Sequence, residues 1–299
     1  MTYAGQSVFV RQIVHESAKQ DLFTRDKQLV RFVHKHKYLG TSEIIMRGAL
    51  SNDYVIDYIR RKKSFYEIDL LEYIDFIARN EPRDNAVAVD VGANIGNHSI
   101  YLGKYVAMEV ISVEANPLLY EALYENLRNN IHNYSIAECA LGESLGRGKI
   151  VYPSVSDNAL GMATVESLEA CDNVTESIGI KTLDSIVEDH KEKHDGRAKI
   201  SLIKIDVEGA EISVLKGAAK TLKTDHPHLF VEVMKPELKE PIDNYLQQYE
   251  YEAISYWAGT PVYHYAHQPT AKLKMKAALM KMKYKMITTH IRSIMRRLQ

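Results

Sequence analysis

Val89-Asp90-Val91-Gly92-Ala93-Asn94-Ile95-Gly96-Asn97 is the stretch that decides the fold. It closes an apolar, β-branched run, Ala86 to Val91, of the kind found in a strand buried on both faces. An acidic residue ends the strand and a turn of small residues opens a helix. Gly92 permits the tight turn, and Gly96 lets backbone come close to a ligand. Asn94 stands where nucleotide loops often carry glycine; asparagine tolerates the left-handed conformation. A helix start supplies free N–H groups and the positive end of a dipole, suited to a carboxylate.

Working outward, strands and helices alternate. Glu109 to Val113 reads as a second strand. Pro117 suits the first turn of a helix running to about Asn130. Tyr134 to Glu138 and Lys199 to Ile205 read as further strands. A helix over about 211–222 and a strand from His228 to Val233 follow. This alternation predicts a doubly wound, parallel α/β sheet with right-handed crossovers. Residues 251–254 and 261–265 are expected to add antiparallel strands. The stretch 142–179 interrupts the pattern and is expected to form an insertion of one or two hairpins over the mouth of the sheet. Upstream, Ile68, Leu71, Ile74 and Ile77 recur at helical spacing. Residues 1–80 are read as a helical extension, 81–268 as the α/β domain and 269–299 as a basic helical tail.

Two acidic strand ends carry the chemistry. Glu114 ends the second strand about twenty residues after the glycine turn, where a carboxylate can accept both hydroxyls of a ribose. Lys204-Ile205-Asp206-Val207-Glu208-Gly209-Ala210-Glu211 ends another buried strand in three carboxylates. Asp206 and Glu208 are the candidate base or hydroxyl anchor; Glu232 is a third acid on the next strand. Helix capping is the plain alternative for Glu208 and Glu211. No metal is expected, since these acids lack histidines or further acids at fixed spacing.

In order, Asp90 to Gly96 and Lys204 to Glu211 resemble the FkbM-type methyltransferases. The likeness extends through Val214 to Ala218, Glu232 and Phe65-Tyr66-Glu67, and covers about residues 60–235. It implies a Rossmann-like methyltransferase sheet, S-adenosylmethionine as methyl donor, and O-methylation of a hydroxyl on a sugar, glycan or related metabolite, as in polysaccharide biosynthesis. By position it places Asp90, Gly92, Asn94 and Gly96 along the methionine part, Glu114 at the ribose, and Cys139, Ala140 and Leu141 near adenine. A nicotinamide-dependent oxidoreductase shares the glycine turn and acidic residue but would need a Tyr-x-x-x-Lys pair, which is missing in the right region. A non-catalytic scaffold keeping the fold is the third class.

Composition narrows the setting. The 299 residues carry a net charge of −1. Nine Lys or Arg and no acid fall in residues 271–299, so residues 1–270 carry −10. Leu273, Ala277, Met280, Tyr284, Ile287, Ile291, Ile294 and Leu298 recur in steps of four and three. This is the pattern of a basic amphipathic helix for an anionic membrane surface; docking to an acidic protein partner, a self-paired coiled coil and a solvated tail are the alternatives. Nucleic acid is not an expected partner, because no basic patch interleaved with aromatics occurs in the body. No apolar run is long enough to cross a membrane. Met1 to Arg11 lacks a leader pattern, and Cys139 and Cys171 have no metal or disulfide spacing. The expected location is the cytoplasm, with peripheral membrane contact through the tail.

Overall fold

The computed structural model describes residues 29–49, 53–79, 85–107, 109–152, 160–168, 177–257 and 261–280. Its centre is a seven-stranded sheet. The first five strands in chain order are β3 (Ala86–Val91), β4 (Glu109–Glu114), β5 (Tyr134–Glu138), β10 (Lys199–Ile205) and β11 (His228–Glu232). With β12 (Tyr251–Trp257) and β13 (Val262–His267) the spatial order is β12-β13-β11-β10-β3-β4-β5. All pairings are parallel except those of β13, which runs antiparallel to β11 and β12. The chain winds from β3 outward to β5, then returns to the other side of β3 with β10. That reversal at β3 is the switch point where open α/β sheets bind ligands.

Strand parity sorts the sheet into two cores. Val87, Val89, Val91, Ile203 and Ile205 face one apolar cluster, and Ala88, Val110, Leu202 and Phe230 face the other. Helices α1 (Tyr54–Lys62), α2 (Ile68–Ala78), α3 (Asn97–Tyr101) and α4 (Tyr120–Asn130) contribute to the Ala88 cluster; α5 (Leu183–Lys193), α6 (Glu211–Lys216), α7 (Ala219–Thr224) and α8 (Lys239–Gln247) contribute to the opposite one. The expected helix over 211–222 is two helices. Gly217 breaks it where a Cβ would sit 2.1 Å from the Gly142 carbonyl oxygen. Asp184 then caps the new start, accepting from the N–H groups of Lys220 and Thr221.

The segment 142–179 does supply a small sheet. β6 (Ala140–Leu141), β7 (Gly146–Val151), β8 (Thr164–Ser167) and β9 (Ile178–Lys181) assemble in the order β6-β9-β7-β8. Cys171 lies outside the described residues.

The expectation of an all-helical residues 1–80 needs correction. Residues 54–62 and 68–78 are helical, but Leu29–His36 (β1) and Gly40–Arg47 (β2) form an antiparallel hairpin. Val30, Phe32, His34 and His36 alternate inward on β1. Two histidines at inward positions disguise the period-two pattern. The free edge of β2 is covered by side chains of α4 acting as a surrogate strand. Asn130 accepts from the Ile45 N–H and donates to its carbonyl, at 3.0 and 2.6 Å; Asn126 does the same for Arg47, at 2.7 and 2.8 Å. The hairpin therefore shares one core with the sheet.

At the other end, residues 271–280 are helical. Leu273, Ala277 and Met280 pack on that same core, and Lys274 pairs with Glu252 at 2.7 Å. The first part of the apolar stripe is thus spent on the protein's own body. Tyr284 to Leu298 lie outside the described residues. No helix among the described residues is long and apolar enough to cross a membrane.

Candidate active site

A cavity of about 550 Å³ opens at the carboxyl ends of β3, β4, β10 and β11. Gly92, Asn94, Glu114, Ala140, Leu141, Asp206 and Glu208 line it, with Cys139 and Glu232. The glycine turn is built by close approach. Gly92 has φ +81°, and a Cβ there would lie 1.8 Å from the Asp206 carbonyl oxygen. Asn94 adopts the left-handed conformation, φ 53°, and its N–H donates to Glu114 at 2.7 Å. The Asn116 N–H holds the other Glu114 oxygen at 2.7 Å. Burial pushes the Glu114 pKa up, against these two amides. Each oxygen keeps a lone pair for a ligand hydroxyl.

Two expected ligand-lining residues stand elsewhere. Strand parity turns the Asp90 side chain under α3, fully buried and off the cavity wall. There Ser99 donates to it at 2.6 Å, and Ser112 donates to Ser99 at 2.8 Å. Gly96 (φ +88°) faces Leu123 and Leu127, which a Cβ would meet at 3.0 and 3.2 Å. Its bareness seats α3 on α4. The turn's amides are also largely spent: those of Gly92 and Ala93 on the Val113 carbonyl, that of Asn94 on Glu114, and that of Gly96 on the Ala93 carbonyl.

The residue that sequence reading passed over is Lys204. It is 3% exposed and pairs across strands with Asp90. Its ammonium lies 3.0 Å from Asp206 and 3.7 Å from Asp90. Burial alone would depress its pKa, but Asp206 and then Asp90 outweigh burial and raise it. Burial likewise works against ionised Asp206, yet Lys204 and a hydrogen bond from Glu232 hold its pKa low. Glu232 takes the opposite part. Burial, the bond to Asp206 and Asp206's charge push it from 4.5 to about 9. At neutral pH the floor of the site thus holds a lysine ammonium, an Asp206 carboxylate and a protonated Glu232.

That proton makes a testable pH signature. A carboxyl whose folded pKa is raised makes the folded state bind the extra proton, so stability falls as pH rises from 4.5 to about 9. Glu232→Gln keeps the neutral, hydrogen-bonding form at every pH. Urea titrations across that window should show a shallower decline for the variant; parallel curves would refute the shared proton.

Around the floor, Glu208 sits left-handed at φ 55°, next to Gly209 at φ +107°. Burial, then Asp206 and Glu211, raise its pKa. Glu211 follows the capping alternative, accepting from the Gly209 N–H at 2.8 Å while 2% exposed. Tyr66 and Glu67 form another part of the wall. Asn97 clamps the Tyr66 backbone by reciprocal hydrogen bonds of 3.0 and 3.1 Å. His98 lies 3.1 Å from Glu67, so it serves as that acid's partner.

A sheet wound this way, with a glycine turn and acidic strand ends meeting at the switch point, is a Rossmann-like fold with a nucleotide-type site. The methyltransferase FkbM domain profile matches residues 90–253, and the chain belongs to that family. It is 29% identical over 201 residues to methyltransferase sdnD of Sordaria araneosa, covering 60% of this chain and 76% of that one. It is 25% identical to methyltransferase 1 of Beauveria bassiana (strain ARSEF 2860), covering 45% and 59%. Among solved structures, methyltransferase FkbM from Methylobacillus flagellatus KT aligns with 73% of this chain and 61% of that one, at 16% identity and a TM-score of 0.42.

Proposed function

We propose that the cavity holds S-adenosylmethionine and that the chain methylates a hydroxyl oxygen of a sugar, glycan or related metabolite. One observation carries the cofactor reading. Six carboxyl side chains, of Asp53, Glu67, Glu114, Asp206, Glu208 and a protonated Glu232, line the cavity; Lys204 is buried beneath Asp206, and no Lys, Arg or His lies among the described lining residues. Such a wall attracts a ligand bearing a sulfonium and an ammonium. It repels the pyrophosphate of a nicotinamide dinucleotide, which argues against an oxidoreductase. Glu114, with its spare lone pairs, supports a role in accepting ribose hydroxyls, and the buried, mostly apolar surface of Cys139, Ala140 and Leu141 supports a purine there.

When bound, the cofactor supplies an activated methyl group, so alignment is most of what remains for the protein to do. A hydroxyl also has to lose its proton, and Glu208 and Asp206 suit different parts. Asp206, held ionised by Lys204, anchors the acceptor through a hydrogen bond. Glu208, whose pKa is raised by burial, is the stronger base and takes the proton. Tyr66 and Glu67 on the wall, with Glu232 on the floor, supply polar groups that suit a hydroxyl-rich acceptor.

Thermal shift tests the ligand class: S-adenosylmethionine and its demethylated product should raise the melting temperature, and NAD should not. Glu114→Gln should weaken cofactor binding about 10–100-fold, as expected for a lost hydrogen bond to a charged group. Glu208→Gln should cut kcat by about 100-fold or more while leaving cofactor affinity unchanged. Stabilisation by NAD alone would reverse the cofactor assignment, and full turnover by Glu208→Gln would remove the base.

A further inference from the structure

At the opposite ends of the strands lies a cluster that methyl transfer does not use. Glu109 opens β4, whose far end is Glu114; about 16 Å of strand separates the two. His190 stands in the last turn of α5 and His194 at its C-cap, rings stacked with centroids 4.4 Å apart. Both Nε2 atoms face one oxygen of Glu109, at 3.5 Å from His190 and 3.7 Å from His194. One ligand atom from each residue lies within 4.8 Å of the other two. We propose that Glu109, His190 and His194 form a binding site for a divalent transition-metal ion of the Zn²⁺ class.

The spacing favours an ion over a direct contact. A charge-assisted hydrogen bond would draw nitrogen and oxygen to about 2.7–2.9 Å. Ligands about 2.0–2.1 Å from a tetrahedral Zn²⁺ lie about 3.4 Å from one another. The observed separations match the second geometry. His190 Nε2 is buried and has no hydrogen-bond partner, the condition of a donor set built around something further. Two imidazoles and a carboxylate suit Zn²⁺ and its neighbours rather than Mg²⁺ or Ca²⁺. The fourth position can be water, because Glu109 and His194 line a cavity of about 670 Å³.

The scaffold is rigid. Thr182 caps α5, accepting from the Ser185 N–H at 3.1 Å, and Ile186 and Val187 pack it on the sheet. A metal here would tie α5 to β4 and stabilise the fold, not the reaction.

The test is metal titration of the full chain at pH 7.5, read by calorimetry and thermal unfolding. One Zn²⁺ per chain should bind. At a hundredfold excess over Kd the melting temperature should rise by roughly 5–10 °C. His194→Ala and Glu109→Gln should each remove the rise. His194 is half-exposed, so its loss leaves the core intact where His190→Ala could disturb it. His226→Ala, altering a separate stacked histidine pair with His267, should keep the rise, and Mg²⁺ should give none. No Zn²⁺ binding, or a shift that survives both His194→Ala and Glu109→Gln, overturns the site.

Discussion

Gly92→Ala is expected to abolish cofactor binding and to cost about 3–5 kcal/mol of stability. Two effects combine. The residue sits at φ +81°, where an L side chain is strained, and the added Cβ would meet the Asp206 carbonyl oxygen at 1.8 Å. That oxygen is backbone, and the Asp206 N–H is already bonded to the Val91 carbonyl at 3.0 Å, so it has little room to retreat. Relief must come by pushing β3's turn away from β10, which opens the cavity floor. Unfolding should shift down by roughly 10 °C or more. Gly179→Ala is the control, because its Cβ would have nothing within 4 Å. If Gly92→Ala binds cofactor like the parent, the turn is not the element that shapes the site.

Lys204→Met should be comparably damaging for an electrical reason. Removing the ammonium leaves Asp90, fully buried, and Asp206 without their shared counter-charge, at a cost of about 3–5 kcal/mol. The deficit should depend on pH. Asp206 has a depressed folded pKa, so its contribution is present above its ordinary 3.8 and lost as pH falls through the lower folded value. Lys204 has a raised one, so its contribution is present below its ordinary 10.5 and lost only at more alkaline pH. The gap between parent and variant should be widest between those limits and narrow in acid. Neutralising the acids as well, in Asp90→Asn/Lys204→Met/Asp206→Asn, should restore much of the stability without restoring activity. An equal deficit at pH 3 and pH 7 would show that lost packing, not charge, sets the cost.

These two positions differ in how well the linear sequence reveals them. Gly92 announces itself: a glycine between a buried strand and a helix start has few other uses. Lys204 is a polar residue in an apolar run, and nothing local shows what it pairs with. Its role depends on Asp90, 114 residues earlier, being its cross-strand partner. Glu114, Asp206 and Glu208 could be placed near one rim because Glu114 ends β4 and Asp206 and Glu208 lie within three residues of the end of β10, in the same sheet. Asp90 was misplaced for the same kind of reason. Strand ends can be located from sequence, but whether a side chain faces the cavity or the underside of α3 follows from parity and twist in the assembled sheet. Gly96 was taken for a ligand-facing glycine because nothing local shows Leu123 and Leu127 behind it. The hairpin at 29–47 escaped because His34 and His36 occupy inward positions, and because Asn126 and Asn130 of a distant helix satisfy its edge.

By itself, then, the sequence determined the succession of buried strands, the glycine turn and the family, because apolar periodicity and turn chemistry act over a few residues. Only the tertiary structure decided the charges in the site: an ionised Asp206 beside a protonated Glu232 above a buried lysine. Those states arise from burial and from neighbours on three different strands, and a chain has neither until it has folded.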